Sequence, residues 1–503
     1  MKIQNKTTFT LLLALAAIPW SGRLGAQPVA PNFMLHMGPA IEVQPEENYV
    51  LQRPAPAAVP FRPTISIQAY AAAKSVAANP AFAAKPVPFA PVPAAPPTTV
   101  SKNFNGANDV DGLRPPDTHG AAGGTQFVEV TNSHLNVFKK IDNSLAKSVT
   151  LATFFNYTTK TLFDPRVVYD STWKRWIVTA DAFAESSTVQ NFFIAISKTS
   201  SATGAFYIYR LDVDFFDNND FWDFPQLGID QDSVLITANI FPAAGGFAGA
   251  DFFAVAKARL YNGLGWSVPV FTGLVGTLAP PIVLDQNGNT FLLAAPASGT
   301  TFTKYTVSNS SRSNIALSSS TVTVPSYTAP PDAHQVGTTD LLDTSDSRFV
   351  NASTQNGTDL WQVHTIALSG FPAPKFYRLN TSTNALSQSG FFFQTGTSDD
   401  WNASITANTV GNAFVTWTST DAPNSRNAQV VFSGKQNADT AIPAGMVGVT
   451  SSTFYNPSSD TTERWGDYSA ITIDPSSTSK AWLVNEKINS TTVWGSQIMQ
   501  VGF

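Results

Sequence analysis

Acidic and guanidinium side chains recur at one kind of place in this sequence, the first residues of apolar, β-prone runs. They are Asp117 and His119, Asp164 and Arg166, Asp223 and Gln226, Asp343 and Arg348, Asp400 and Asn402, and Arg464 with Asp467. Glycoside hydrolysis needs two carboxyl groups across the scissile bond, about 5–5.5 Å apart for retention and about 6.5–9.5 Å for inversion. Facing entries could provide either separation, and the sequence does not choose the pair. Arg166, Arg348 and Arg464 stand at such entries too, and guanidinium groups facing one funnel would repel unless they met carboxylates, supplied by the protein or by a ligand. His119, and more remotely His364, add a general base of the kind a polysaccharide lyase uses. Each also has a structural reading, since entry aspartates cap turns and a strand histidine satisfies a local hydrogen bond.

Two further groups carry possible chemistry. Trp222, Trp401 and Trp465 each stand beside an entry acid, where an indole can stack on a sugar ring or fill the gap between adjacent sheets. The run DVDFFDNNDFWDFP, from Asp212 to Pro225, holds Asp212, Asp214, Asp217 and Asp220 within a few positions of one another. Such oxygen-rich clusters suit calcium, although the EF-hand spacing is missing, and the other reading is a solvated acidic loop. Calcium would be structural here, and no cofactor is required by any motif. H-E-x-x-H, H-x-x-E-H and G-x-S-x-G spacings are absent, which argues against a zinc protease and a nucleophile-elbow hydrolase.

The elements that must position these residues form a repeated two-strand unit. DPRVVYD precedes RWIVTAD, FPQLGID precedes VLITAN, PPIVLD precedes FLLAAP, NASITAN precedes FVTWTS, and DYSAITID precedes WLVNE. Turn residues at Gly123-Gly124, Asp170, Asp230, Asp285, Asn356, Asn408 and Asp474 separate the two halves of each unit. Repeats of short strands at such intervals predict an all-β β-propeller. The count is seven four-stranded blades, with six or eight as the alternatives. The last unit shows only three strands, and a strand near Thr99–Gly106 is expected to supply the fourth and close the ring, which removes exposed edges. In a propeller the first strand of each blade lines the central channel, so the polar entries above should converge.

At the level of fold these features resemble the secreted sialidase-like and glycosidase-like bacterial propellers. That resemblance implies an arginine clamp on an acidic sugar, here Arg166, Arg348 and Arg464 with Asn402. It also implies acid/base chemistry by carboxylates, with Asp117, Asp164, Asp223, Asp467 or Glu486 as the candidates. The S-x-D-x-G-x-x-W box of sialidase blades survives only as SSDTTERW, ending at Trp465 without its glycine. PPDTHG, LDTSDSR and WGDYS also resemble segments of exported bacterial propellers. The resulting expectation is an exported carbohydrate-active enzyme, glycosidase or lyase, acting on an acidic glycan. The alternative is a non-catalytic extracellular glycan- or protein-binding scaffold.

Composition bounds the rest. The 503 residues include 12% aromatic and 13% charged side chains, with a formal net charge of −5. That balance supplies a large core and no basic face, which excludes the usual nucleic-acid footprint. There is no cysteine, so stability must come from core and strand ladders, and thiolate chemistry is excluded. Residues 1–26 read as a signal peptide: Lys2 and Lys6, then an apolar stretch, then Leu24-Gly25-Ala26. Residues 27–100 are rich in Ala and Pro and read as a disordered, partly polyproline linker. Residues 101–503 form the propeller domain. The expected product is a secreted monomer, extracellular or periplasmic, with no integral membrane segment and a glycan as partner.

Overall fold

The computed structural model describes residues 26–44, 58–77 and 99–503. The expected signal peptide lies outside these residues, except for Ala26. From His119 onward the chain folds as consecutive antiparallel meanders over residues 119–150, 162–212, 221–274, 277–327, 353–391, 399–450 and 470–502. Their innermost strands touch one another in chain order, and the last, Ala470–Asp474, packs against the first, His119–Ala122. The architecture is all-β and propeller-like.

Thr99–Asn108 pairs antiparallel with the C-terminal strand Val493–Gly502, as the sequence predicts, so N- and C-terminal segments share one sheet. The turn residues act as read. Asp170, Asp230, Asn408 and Asp474 accept backbone N–H groups two or more residues ahead. The meander that begins at Thr277 departs from the common pattern at Pro280-Pro281. Thr277–Ala279 pairs within its own sheet, and Pro281–Val283 then runs parallel between the inner strands of the two neighbouring meanders. Gly228 permits that close approach, because a Cβ there would lie 2.6 Å from the Pro281 carbonyl oxygen.

The linker expectation is corrected where the residues are described. Gln27–Val29, Phe33–Met37 and Ile41–Val43 pair with the outermost strands of three successive sheets, at Ala316–Tyr327, Trp266–Leu274 and Phe206–Asp212. Runs of three to five residues suffice for this role, and even Pro28 is accommodated within one, since an edge position needs donors on one side only. Leu35 is buried and Phe33 stacks on Phe215. Farther on, Ile67–Ala77 is an α-helix laid over the face where the blade entries open. Residues 45–57 and 78–98 of the linker lie outside the described residues. No described helix is long and apolar enough to cross a membrane.

Candidate functional site

Three blade entries share one local device. The ladders of the sheets that start at Leu162, Phe221 and Asp399 each shift register near their first residues. Asp164, Phe224 and Asn402 there adopt left-handed backbone, with φ of 51°, 56° and 52°, and Asp117 does the same at 48°. A bulge of this kind bends the strand and re-aims its side chains. Asp and Asn tolerate the conformation, whereas for Phe224 it is strained. The strain is held by packing: the Phe224 ring lies 5.1 Å from that of Tyr468 and under the Arg348 guanidinium.

Asp117 and the bulged entries at Asp164 and Asn402 meet Arg464–Tyr468, with Asp223 close by. Asn132 ties the first two together, donating to Asp117 Oδ2 at 2.6 Å and accepting from the Asp164 N–H at 2.8 Å. Asp117 Oδ1 accepts the Asp467 N–H at 2.7 Å. Tyr468 donates to Asp164 Oδ2 at 2.7 Å. Glu486 accepts the Gly466 N–H at 2.7 Å, and Asn402 donates to the carbonyls of Gly466 and Tyr468. The predicted convergence is present, but these groups are largely engaged in holding the WGDYS turn.

The same holds for the arginines. Arg166 lies 3.3 Å over the Tyr468 ring and donates to the carbonyls of Pro225 and Val350 and to Asn351 Oδ1. Arg348 forms a two-point ion pair with Asp346 at 2.8 Å for each contact. Arg464 bridges Asp343 and Asp467 at 3.0 Å each. The short parallel ladder of Leu341-Leu342 with Thr462-Glu463 delivers Asp343 beside Arg464.

Electrostatics follow burial. Desolvation raises the Asp117 carboxyl to about 6, with the Asp467 charge adding to it. Asp164 and Glu486 are pushed well above the usual carboxylate range by the same cause. Asp181 is also raised well above it, and neither of its oxygens has a protein partner. Asp223 is raised by burial against the opposing pull of Arg62. Asp343 and Asp346 sit below their ordinary values, because the cations facing them outweigh burial.

This cluster is covered. Phe61 lies between the guanidinium groups of Arg348 and Arg464, 4.7 and 5.2 Å from its ring centre. Arg62 donates to Asp223 Oδ2 at 3.0 Å, and its carbonyl accepts from Arg348. Tyr70 donates to Asp343 at 3.1 Å, and Lys74 pairs with Asp332 at 2.8 Å. The space left beside Arg348, Asn402 and Asp467 amounts to about 10 Å³, roughly one water's worth.

Several nominated residues have other roles. Trp222, Trp401 and Trp465 are buried between sheets, Trp401 against Trp465 and Trp222 against Phe215 and Phe253, so none presents a ring to a sugar. Asp212 and Asp214 accept backbone N–H groups of their own loop, and Asp220 accepts from Asn218. Asp217 sits at a left-handed turn position. Among the described residues no group of three or more His, Asp or Glu side chains is placed to hold a metal ion. His119 faces the channel rather than the carboxylates, and its Nδ1 accepts the Val167 N–H at 3.3 Å. Burial and the nearby Arg166 hold its pKa well below the ordinary value. His364 is fixed between the Ser347 carbonyl and the Tyr377 hydroxyl, and burial lowers it to about 3.

The roomiest feature of the axis opens at the other face. It is a channel of about 540 Å³ walled by the inner strands, with Val167, Ile229, Ile282, Ile405 and Ile471 among its apolar groups. Ser353, Thr354, Ser404 and Thr406 add hydroxyl residues that are themselves buried in the wall, and Thr172 and Thr409 add exposed hydroxyls toward the mouth. Trp173 stands at the mouth, 56% exposed. The rim carboxylates are engaged: Asp170 by Lys257 and Tyr261, Asp230 by Thr290, Asp285 by Gly357.

No protein-family model and no curated protein matches the chain. Among solved structures, Synechocystis apocarotenoid oxygenase aligns at a TM-score of 0.39 and 10% identity, over 66% of this chain and 72% of that one. The exo-β-1,3-galactanase of Phanerochaete chrysosporium aligns at 0.32 and 11%, over 80% and 96%. A subtype N10 neuraminidase-like protein of A/little yellow-shouldered bat/Guatemala/060/2010 aligns at 0.34 and 10%, over 67% and 98%. Likeness at this level carries no argument about chemistry, and the fold assignment rests on the strand pairing itself.

Proposed function

We propose that this chain is an exported, seven-bladed propeller that binds a glycan in its open channel without cleaving it. The observation that carries this reading is the contrast between the two ends of the axis. At the entry face the carboxylates and arginines already face one another beneath Phe61–Lys74, with about 10 Å³ free. At the other face about 540 Å³ is open, within the range of small-ligand sites, and no free carboxyl pair lines it. An accessible indole at Trp173 and the exposed hydroxyls of Thr172 and Thr409 beside it are the groups that sugars engage, through ring stacking and hydroxyl hydrogen bonds. A glycan array probed with the purified protein tests this. Binding that is lost in Trp173→Ala and Ser353→Trp supports it, and an array without hits, or hits indifferent to both changes, rejects it.

A second reading has one specific support. Asp117, Asp164 and Glu486 combine raised pKa values with a place beside the strained Phe224 entry, and perturbed carboxyls next to strained backbone cluster at catalytic sites. On this reading the chain is a glycosidase or lyase whose carboxylates act once the covering segment leaves. Assaying Arg62→Glu/Lys74→Glu against a polysaccharide panel separates the readings: released sugar from this variant favours the enzyme, and none favours the binding propeller.

A further inference from the structure

We propose that the carboxylate-rich face is a binding site for a basic, aromatic peptide, and that residues 58–77 of this same chain are its tethered occupant. The inference is independent of the channel reading. The contacts are those of a ligand in a pocket more than those of a core element. Four side chains make the anchors: Phe61 between two guanidinium groups, Arg62 on Asp223, and Tyr70 and Lys74 on Asp343 and Asp332. Tyr70 and Lys74 are four residues apart, so they project from one side of the Ile67–Ala77 helix. Most other positions of that helix are exposed, Ile67 at 69% and Val76 at 81%, while Ala73 and Ala77 are half-buried. A helix of this length is marginal by itself in water, so it depends on those anchors.

Fit to the surface is partial. A cavity of about 390 Å³ separates the Phe61–Ile67 stretch from the loops around Ser186, Asp220 and Gly245. Upstream, the segment is pinned by the Val59 N–H on the Arg114 carbonyl at 2.7 Å and by Val59 packing on Leu113 and Phe163. The face supplies matching chemistry: carboxylates for the cations, and paired guanidinium groups for the aromatic ring, whose face attracts cations. In sequence the segment is bounded by Ala- and Pro-rich stretches on both sides. A peptide of other origin with the pattern Phe-Arg, then Tyr and Lys four apart on a helix, would meet the same groups.

The test uses the full-length chain and a fluorescein-labelled synthetic peptide of residues 58–77. Arg62→Glu/Lys74→Glu reverses two anchors, and the released face is expected to bind the labelled peptide at least tenfold more tightly than the wild type, whose own segment competes. A scrambled peptide should not bind, and adding Asp332→Asn and Asp343→Asn to the variant should abolish capture. Hydrogen exchange across Ile67–Ala77 should accelerate in the charge-reversed variant while the blade strands stay protected. Equal peptide binding by wild type and variant, or undiminished helix protection in the variant, overturns the proposal. If charge reversal prevents folding, Arg62→Gln/Lys74→Gln gives the same readouts with a smaller change.

Discussion

Tyr468 donates its hydroxyl to Asp164 at 2.7 Å, joining residues 304 positions apart. The ring beneath that hydroxyl also carries Arg166, at 3.3 Å. One side chain thus links an inner strand near the start of the ring to the turn that precedes its last sheet. Tyr468→Phe should therefore destabilise the fold by about 1–3 kcal/mol, the cost of leaving a buried polar group without its partner. Urea unfolding measures it, and an unchanged midpoint would show the bond to be dispensable.

Stability should fall as pH rises from about 4 to about 7, because the raised carboxyls of Asp117, Glu129, Asp164, Asp181, Asp251 and Glu486 outnumber His119 and His364, which are held low and pull the other way across the same window. Burial raises Asp117 to about 6 and Glu129 to about 7, against roughly 4 in an unfolded chain. The folded protein therefore keeps protons that the unfolded chain has released, and this contribution is complete below the unfolded value and lost through the folded one. Asp343 and Asp346 are shifted the opposite way, so their contribution disappears only below the ordinary carboxylate range, outside this window. Glu129→Gln, which removes the proton-binding group facing Ala107 and Ser496, should flatten the slope of thermal midpoint against pH. A slope identical to wild type contradicts the assignment.

Much of the blade pattern was legible because it depends on short-range signals. Alternation of apolar runs with Asp, Asn and Gly turns locates strand pairs such as Leu162–Asp170 with Arg175–Ala182, and the missing strand near Thr99 followed from counting. The convergence of Asp117, Asp164 and Asp467 was legible for the same reason. Their partners were not. Nothing near Asn132 in sequence indicates that it bridges two entry aspartates, and nothing near Arg62 indicates Asp223, 161 positions away. The Ala/Pro composition of 27–100 concealed edge strands because an edge strand needs only a few residues and tolerates proline, as at Pro28. The tryptophans were ambiguous in principle, since the gap between two sheets and a sugar platform both favour an indole.

Trp465→Ala should cost stability before it affects any ligand. Trp465 is buried against Trp401 and Tyr455, and removing such a side chain typically costs about 3–5 kcal/mol. A thermal melt reads the loss. A variant that melts like the wild type but loses glycan binding would return Trp465 to the surface role that its position in sequence suggested.

Deleting residues 27–44 should leave the ring folded but uncover three outer strands. Those residues occupy the edges at Ala316–Tyr327, Trp266–Leu274 and Phe206–Asp212, and open edges template pairing between chains. Light scattering on warming should show aggregation at a lower temperature than for the full chain. Unchanged scattering would mean that the edges are protected by other means.

The most direct test of the central claim is titration of wild type, Ser353→Trp and Arg62→Glu/Lys74→Glu with a glycan selected on the array. The account predicts that the channel substitution weakens binding at least tenfold and that reversing the two anchors of the covering segment leaves it unchanged. Binding that survives a filled channel and strengthens when the segment is released would place the ligand at the carboxylate-rich face and contradict the account.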